Sequence, residues 1–257
     1  MNILFEITNG VAKITLNRPD VLNSFNKNMA MEMQDALDKC AHEKSIRAVY
    51  ITGEGRAFCA GQDLAEVTDP NGPVLQSIVK EHYNPIVEKI RNIEKPVICA
   101  VNGVAAGAGA NIALACDITF VANSASFIQA FSKIGLIPDS GGTFFLPRLV
   151  GFQRATALMM LGEKIKAEQA FQMGMIYKVC EDNNLQKEAF DVALHLANMP
   201  TKALGLTKRA LNASMANNLT DQLDMEEELQ TIAGNSHDYK EGVNAFLEKR
   251  QPIFKGE

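Results

Sequence analysis

The sequence has no tryptophan, few cysteines and histidines, and no hydrophobic run long enough to cross a membrane. Its five cysteines are odd in number, widely separated and mostly set among apolar residues, which favours buried free thiols over catalytic ones. No CxxC or clustered His/Cys pattern predicts a metal site, and the four histidines have no partner at ligand spacing. We therefore expect no metal and no cysteine chemistry.

Basic residues are also fewer than acidic ones. The chain carries 30 acidic against 25 basic residues, a formal charge of −5, and has no block of Lys and Arg that could follow phosphates, so a nucleic-acid partner is not expected. Its start, MNILFEITNG, lacks the basic segment of a signal peptide, and the apolar stretch near Val97 is broken by Asn102 and glycines. We predict a cytoplasmic protein without a membrane partner.

The order of sequence patterns predicts an α/β fold. Alternating residues around Asn9-Gly10 indicate an antiparallel hairpin, and the apolar run AVYITG indicates a buried strand. Helical periodicity, the strand-like runs VICAV and DITFVA, and a short strand near 176–179 then alternate. The helical stretches are predicted at 29–40, 74–93 and 152–161 and after the glycine-rich turn that follows VICAV.

No strand is evident from Leu185 onward, where apolar stripes at helical spacing predict several amphipathic helices. Such stripes can cover the core of their own chain or pack against other subunits, and we expect both. We predict a core with the active site at residues 1–198 and a helical oligomerisation region at residues 199–257.

Two glycine-rich segments follow predicted strands: AFCAGQDL after AVYITG, and NGVAAGAGANIAL after VICAV. Their small residues let a ligand approach backbone N–H groups, and the second segment opens a helix whose N-terminal dipole favours negative charge. An oxyanion site is one interpretation. Tight turns that need glycine for close packing are the other.

Taken with LNRPDVLNSF and IPDSGGT, these segments resemble the crotonase (enoyl-CoA hydratase/isomerase) family over nearly the whole chain. The resemblance implies the ClpP/crotonase-like fold, a spiral of strand-strand-helix units with a C-terminal helical region that forms trimers or dimers of trimers. It also implies an acyl-CoA thioester as substrate and no cofactor, since coenzyme A is part of the substrate.

The same resemblance implies residue roles. The backbone N–H groups of Gln62 and Ala108 are the expected oxyanion donors for a thioester enolate. Arg18 is either a phosphate partner or a solvated turn residue. The expected contacts to coenzyme A and the acyl group are Ser24, Phe25, Ala60, Gly61, Asp63, Leu64, Gly109, Asn111 and Phe131.

The expected reaction follows from the two positions that hydratases of the family fill with glutamates. Here they are Asn111 and Phe131, which cannot transfer a proton at neutral pH. Asp139 in GLIPDSGGT remains as the candidate base, although Pro-Asp-Ser-Gly is also ordinary turn or cap chemistry. One carboxylate suits a double-bond shift better than water addition. We expect a raised pKa of Asp139 from the apolar neighbours Phe131, Ile134, Leu136, Ile137 and Phe144.

Within the family, the likeness is greatest to members that isomerise the ring 1,2-epoxide of phenylacetyl-CoA to an oxepin thioester and shift 3-enoyl to 2-enoyl double bonds. Hydratases remain an alternative. So do 4-chlorobenzoyl-CoA dehalogenases, whose Asp attacks the ring, but these carry an aromatic residue at the position of Gln62. A catalytically silent acyl-CoA-binding scaffold is the alternative outside enzymes. A serine protease is not indicated, because no Ser with a matching His and Asp appears in the glycine-rich segments.

Overall fold

A computed structural model describes residues 1–257 and has ten strands in two sheets. The larger sheet has the order β1-β2-β3-β5-β7-β10, and the smaller has the order β4-β6-β8-β9. All neighbours pair in parallel except β1 with β2 and β8 with β9. The strands are β1 (Ile3–Thr8), β2 (Val11–Leu16), β3 (Ala48–Gly53), β4 (Ala57–Cys59), β5 (Val97–Val101), β6 (Val104–Ala106), β7 (Ile118–Ala122), β8 (Ser126–Ile128), β9 (Lys164–Lys166) and β10 (Lys178–Cys180).

Twelve α-helices connect and cover these sheets, with short 3₁₀ turns at Pro19–Val21 and Ala130–Ile134 and a π-helical turn at Ile78–Tyr83. The α-helices are α1 (Lys27–His42), α2 (Leu64–Thr68), α3 (Leu75–Ser77), α4 (Asn84–Asn92), α5 (Ala108–Ala115), α6 (Gly142–Val150), α7 (Phe152–Leu161), α8 (Ala167–Gln172), α9 (Leu185–Ala197), α10 (Thr201–Ser214), α11 (Leu219–Gly234) and α12 (His237–Glu248).

The larger sheet confirms the predicted hairpin and buried strands. Asn9 and Gly10 both have positive φ, which gives the turn whose twist matches paired antiparallel strands. All six residues of β3 and all five of β5 are buried, as expected for parallel strands covered on both faces. Helix α9 packs across β3, β5 and β7 and covers one face.

The smaller sheet was not predicted, because its strands are three residues long and too short to show a period. The chain passes from β3 to β4 and from β5 to β6 through tight turns at glycines. At Gly103 a Cβ would lie 2.2 Å from the carbonyl oxygen of Arg56, so only glycine fits between these turns. In both cases the second strand leads to a helix, β4 to α2 and β6 to α5, which confirms the repeated strand-strand-helix arrangement.

The last three helices, α10 to α12, lie within the predicted C-terminal region. The predicted boundary at 198/199 falls in the turn between α9 and α10, and the division into two units stays a prediction. Lys208 of α10 ties this region to the core, since its buried ammonium donates to Asp117 Oδ2 at 2.7 Å and to the carbonyl of Ile90 at 2.7 Å. Burial lowers the pKa of Lys208, while Asp117 acts in the opposite direction.

All five cysteines are buried and unpaired, in agreement with the sequence analysis. None of the helices has the combination of length and hydropathy that a membrane span requires.

Replacing Lys208 by Met should destabilise the fold, because the carbonyl of Ile90 and one oxygen of Asp117 lose a buried charged donor. We expect a loss of about 3 kcal/mol in the free energy of unfolding, measured by urea titration. Lys187→Met is the matched control, because Lys187 forms an exposed i,i+4 pair with Asp191 and its loss should leave the free energy of unfolding nearly unchanged. Equal effects of the two variants would contradict this role of Lys208.

Candidate active site

The two segments predicted to bind coenzyme A lie side by side. The N–H of Phe25 donates to the carbonyl of Gly61 at 2.7 Å, and the N–H of Asp63 donates to the carbonyl of Phe25 at 2.8 Å. The N–H of Ala60 donates to the carbonyl of Leu22 at 3.0 Å. The loop after β2 and the turn after β4 therefore form one continuous surface.

Arg18 and Asn23 hold this surface in place. Arg18 forms an ion pair with Asp63 at 2.9 Å and donates to the carbonyl of Ser24 at 2.6 Å, so it is not a solvated turn residue. Asn23 has positive φ, and its side-chain amide donates to the carbonyls of Glu54 and Ala57. A fixed loop at this place allows a thioester to be held without ordering the backbone on binding.

The predicted coenzyme A contacts differ in exposure. Ser24, Phe25 and Gly61 are buried, Ala60 and Asp63 are half-buried, and Leu64 is 62% exposed. The ring of Phe25 packs against Tyr83, with centroids 5.8 Å apart, so its side chain belongs to the core behind the surface. Contact with coenzyme A stays a prediction for each of these residues.

The two glycine-rich segments meet, as the oxyanion interpretation requires. Gly61 has φ +93°, and a Cβ there would lie 3.0 Å from the carbonyl oxygen of Ala106 and 3.7 Å from the backbone nitrogen of Ala108. The N–H of Gln62 donates no hydrogen bond within the chain. Ala108 is the first residue of α5, so its N–H has no acceptor in its own helix. Two free backbone donors therefore lie in adjacent segments, and one of them, at Ala108, is at the N-terminus of α5.

Every residue of α5 is buried, which fixes these donors in space. Gly109 allows this burial, because a Cβ at that position would lie about 2.6 Å from the Cβ and Sγ atoms of Cys59. The packing interpretation of glycine is therefore correct for Gly109, and its contact with substrate stays a prediction.

Asp139 lies in a tight turn just before α6, which begins at Gly142. Ser140 and Gly141 both have positive φ, which is uncommon for a non-glycine residue such as Ser140 and marks a constrained backbone. The hydroxyl of Ser140 donates to Asp139 Oδ1 at 2.9 Å. Helix α6 has no side-chain cap, so the capping interpretation of Asp139 is wrong. Burial raises the pKa of Asp139, and the bonds from Ser140 and from its own backbone oppose this rise.

Asn111 connects α5 to this turn. Its amide donates to the backbone carbonyl of Asp139 at 2.8 Å, and its own oxygen accepts from the amide of Gln129 at 2.8 Å. The N–H of Gly142 donates to the same carbonyl of Asp139 at 2.8 Å. The side chain of Asn111 therefore holds the backbone of the candidate base, and its correspondence to a hydratase glutamate stays a prediction.

The apolar surroundings expected for Asp139 are only partly present. Phe131 is buried, and its ring lies beside Gly107. Ile134, Leu136 and Ile137 are exposed, from 37% at Leu136 to 81% at Ile137, because the segment before Asp139 runs along the surface. Phe144 of α6 is 42% exposed. The burial of Asp139 comes instead from packed elements around the turn, where Val87 and Phe145 lie against Gly141 and Asn111 lies against Gly142.

The neighbouring carboxylates are already occupied. Asp63 pairs with Arg18, while Glu66 accepts from the side chain of Gln62 at 2.9 Å and from the N–H of Lys27 at 2.9 Å. Asp139 has no ion-pair partner and is left as the carboxylate available for proton transfer. No three His, Cys, Asp or Glu side chains lie together as a metal site requires.

Tyr83 and Gln129 were missed by the sequence analysis. The hydroxyl of Tyr83 donates to Gln62 Oε1 at 2.9 Å, and Gln129 supports Asn111. Tyr83 lies inside a predicted helical region, where a buried tyrosine has the same sequence pattern as an ordinary core residue. Its contact with Gln62 is visible only in the folded chain, because the two residues belong to different segments.

The chain matches known proteins over its whole length. The family model for enoyl-CoA hydratase/isomerase matches residues 6–257. A 1,2-epoxyphenylacetyl-CoA isomerase from Escherichia coli is 51% identical, covering 99% of this chain and 98% of its own. A protein of Rhodobacter capsulatus named "Probable enoyl-CoA hydratase" is 46% identical, with 99% and 98% covered. The crystal structure of an enoyl-CoA hydratase from Bacillus anthracis has a TM-score of 0.96 and 35% identity, with both chains fully covered.

Asp139→Asn should stabilise the protein at neutral pH. The raised pKa means that the folded state binds the Asp139 proton more tightly than the unfolded state, so stability falls as pH rises through this window. The gain in folding stability from Asp139→Asn should therefore appear at pH 7 and vanish below about pH 4, the ordinary range of the Asp pKa. Thermal unfolding at several pH values measures it.

Asp182→Asn supplies a comparison of opposite sign. The bond from the N–H of Ser124 lowers the pKa of Asp182, so its charge stabilises the fold above the ordinary Asp range. This exposed substitution should slightly destabilise the protein at pH 7. A loss of stability for Asp139→Asn at pH 7 would contradict the burial of a charged carboxylate.

Proposed function

The chain belongs to the enoyl-CoA hydratase/isomerase family, whose members act on acyl-CoA thioesters, and within this family we propose that it is an isomerase with Asp139 as the base. The observation that carries the proposal is that Asp139, a carboxylate without an ion-pair partner, lies in a turn held by Asn111 of α5, the helix whose first N–H, at Ala108, is a free backbone donor. Asn111 and Phe131 stand at the positions of the two hydratase glutamates.

In the proposed reaction, a 3-enoyl-CoA binds with its thioester oxygen at the N–H groups of Gln62 and Ala108. The carboxylate of Asp139 removes a proton from C2, and the electron pair passes through the thioester to give a dienolate. The protonated Asp139 returns the proton to C4, and the double bond moves from C3–C4 to C2–C3. One carboxylate thus completes the cycle, and no atom is gained or lost.

We extend the proposal to the ring 1,2-epoxide of phenylacetyl-CoA as substrate. The name and 51% identity of the Escherichia coli relative support this choice. The ring bond shared with the epoxide opens to the seven-membered oxepin, while Asp139 moves a proton from the carbon beside the thioester to the ring. The buried ring of Phe131 beside Gly107 offers an apolar wall for such a substrate.

Hydration is the second candidate, favoured by the names of the 46% identical relative and the Bacillus anthracis structure. Water addition by the usual route needs two groups that hold and activate the water. The amide of Asn111 is occupied by Asp139 and Gln129, and Phe131 has no polar atom. We therefore place hydration below isomerisation.

The decisive test compares wild type with Asp139→Asn on a 3-enoyl-CoA and a 2,5-dihydrophenylacetyl-type thioester in D₂O. We expect the wild type to shift the double bond with incorporation of solvent label. The variant should lose about 10²- to 10⁴-fold in rate, the range of a general base. Asp182→Asn, a surface carboxylate, should keep full activity.

An unimpaired Asp139→Asn variant would remove the base from the proposal. Accumulation of 3-hydroxyacyl-CoA from 2-enoyl-CoA as the main wild-type reaction would establish hydration instead. Binding of the thioesters without turnover would establish the scaffold alternative. Liquid chromatography with mass detection separates these products.

We also propose a trimer or a dimer of trimers. The last two helices expose apolar side chains that no part of the same chain covers, among them Leu219, Phe246 and Leu247, which are 72–83% exposed. Light scattering should give a mass of three or six times 28.0 kDa. A monomer at micromolar concentration would contradict it. A cytoplasmic location stays a prediction.

A further inference from the structure

Tyr83 is a fully buried residue that neither the proposed proton transfer nor the predicted binding surface uses. It is the last residue of the π-helical turn Ile78–Tyr83 that joins α3 to α4, and 1% of its surface is exposed. π-helical turns are rare and often occur at functional sites. Its ring packs on Phe25, which places its hydroxyl behind the turn that carries Gln62.

The hydroxyl of Tyr83 begins a chain of side-chain hydrogen bonds through Gln62. It donates to Gln62 Oε1 at 2.9 Å, and Gln62 Nε2 donates to Glu66 Oε2 at 2.9 Å. The other oxygen of Glu66 accepts from the N–H of Lys27 at the start of α1. The carboxamide of Gln62 is therefore held at both ends, by α1 and α2 on one side and the π-helical turn on the other.

The direction of these bonds is fixed by chemistry. An ionised Glu66 can only accept, so Gln62 must present its NH₂ group to Glu66 and its oxygen to Tyr83. Tyr83 must then donate, which requires a protonated phenol. Burial raises the pKa of Tyr83 well above its ordinary value, and Cys59, Asp139, Glu66 and Asp63 act in the same direction.

Resting on the proposed function, we infer that Tyr83 is a positioning residue that acts through the side chain of Gln62 to aim the backbone N–H of Gln62 at the thioester oxygen. The backbone on both sides of Gln62 is tied to Phe25, through Gly61 and Asp63. Rotation of the peptide at Gln62 is thus restrained by its neighbours and by its own side chain. An oxyanion donor needs this accuracy, because its contribution depends on alignment with the developing charge.

Tyr83→Phe tests this inference, because it removes only the hydroxyl. We expect kcat for the double-bond shift to fall about 10-fold, less than the 10²- to 10³-fold typical of losing a whole donor, with KM unchanged. Tyr50→Phe is the matched control. Tyr50 is also fully buried and donates to a glutamine, Gln186 of α9, at 2.6 Å, away from Gln62. The Tyr50→Phe variant should lose about as much stability as Tyr83→Phe and keep the kcat of the wild type.

A double-mutant cycle with Gln62→Met tests whether Tyr83 acts through Gln62. Methionine keeps the length of the side chain and removes both bonds. If the inference is correct, Tyr83→Phe lowers kcat in the wild-type background and has no further effect in the Gln62→Met background. Equal losses in both backgrounds would overturn it, because Tyr83 would then act by another route. An unchanged kcat in Tyr83→Phe would overturn it as well.

A spectroscopic measurement separates this inference from the proposed reaction. The infrared C=O stretch of a bound, ¹³C-labelled 2-enoyl-CoA thioester reports how strongly the oxyanion donors polarise it, whether or not the protein isomerises it. We expect a shift to low frequency in wild type and Tyr50→Phe, and a smaller shift in Tyr83→Phe. The same shift in all three proteins would overturn the inference and leave the isomerase proposal intact.

Discussion

The site depends on the position of one short buried helix, α5. Its first N–H, at Ala108, is a candidate oxyanion donor, and one turn later Asn111 holds the carbonyl of Asp139 at 2.8 Å. Residues three apart on a helix share a face, so the same rigid element sets both the oxyanion donor and the candidate base. Gly109 between them packs on Cys59 and keeps the helix against the strand that leads to Gln62.

This arrangement gives a physical reason for proposing a proton shift rather than hydration. A glutamate at position 111 could hold a water molecule, whereas the side chain of Asn111 donates to the carbonyl of Asp139 and accepts from the amide of Gln129. Asn111 therefore supports the turn that carries the candidate base. That carboxylate is partly buried and has no cation beside it, so burial raises its pKa towards the range in which it can both remove and return a proton.

Much of the fold was predictable from sequence, as were the segments that meet at the candidate site. The hairpin at Asn9-Gly10, the buried strands and the glycine segments have local patterns, and Asp139 stood out because the paired glutamates were missing. The three-residue strands of the smaller sheet have no period to detect. The roles of Tyr83, Gln129 and Asn111 could not be predicted, because they depend on contacts between distant segments. Ile134 and Ile137 are exposed, contrary to expectation, because an apolar loop sequence does not reveal which way its side chains face.

In the proposed reaction, the single carboxylate of Asp139 carries a proton from C2 to C4 of the substrate. The most direct measurement uses a 3-enoyl-CoA deuterated at C2, with NMR analysis of the earliest product formed in ordinary water. We expect 2-enoyl-CoA in which part of the deuterium lost from C2 reappears at C4, because Asp139 returns the label before it exchanges with solvent. A product without deuterium at C4, accompanied by accumulating 3-hydroxyacyl-CoA, would contradict it.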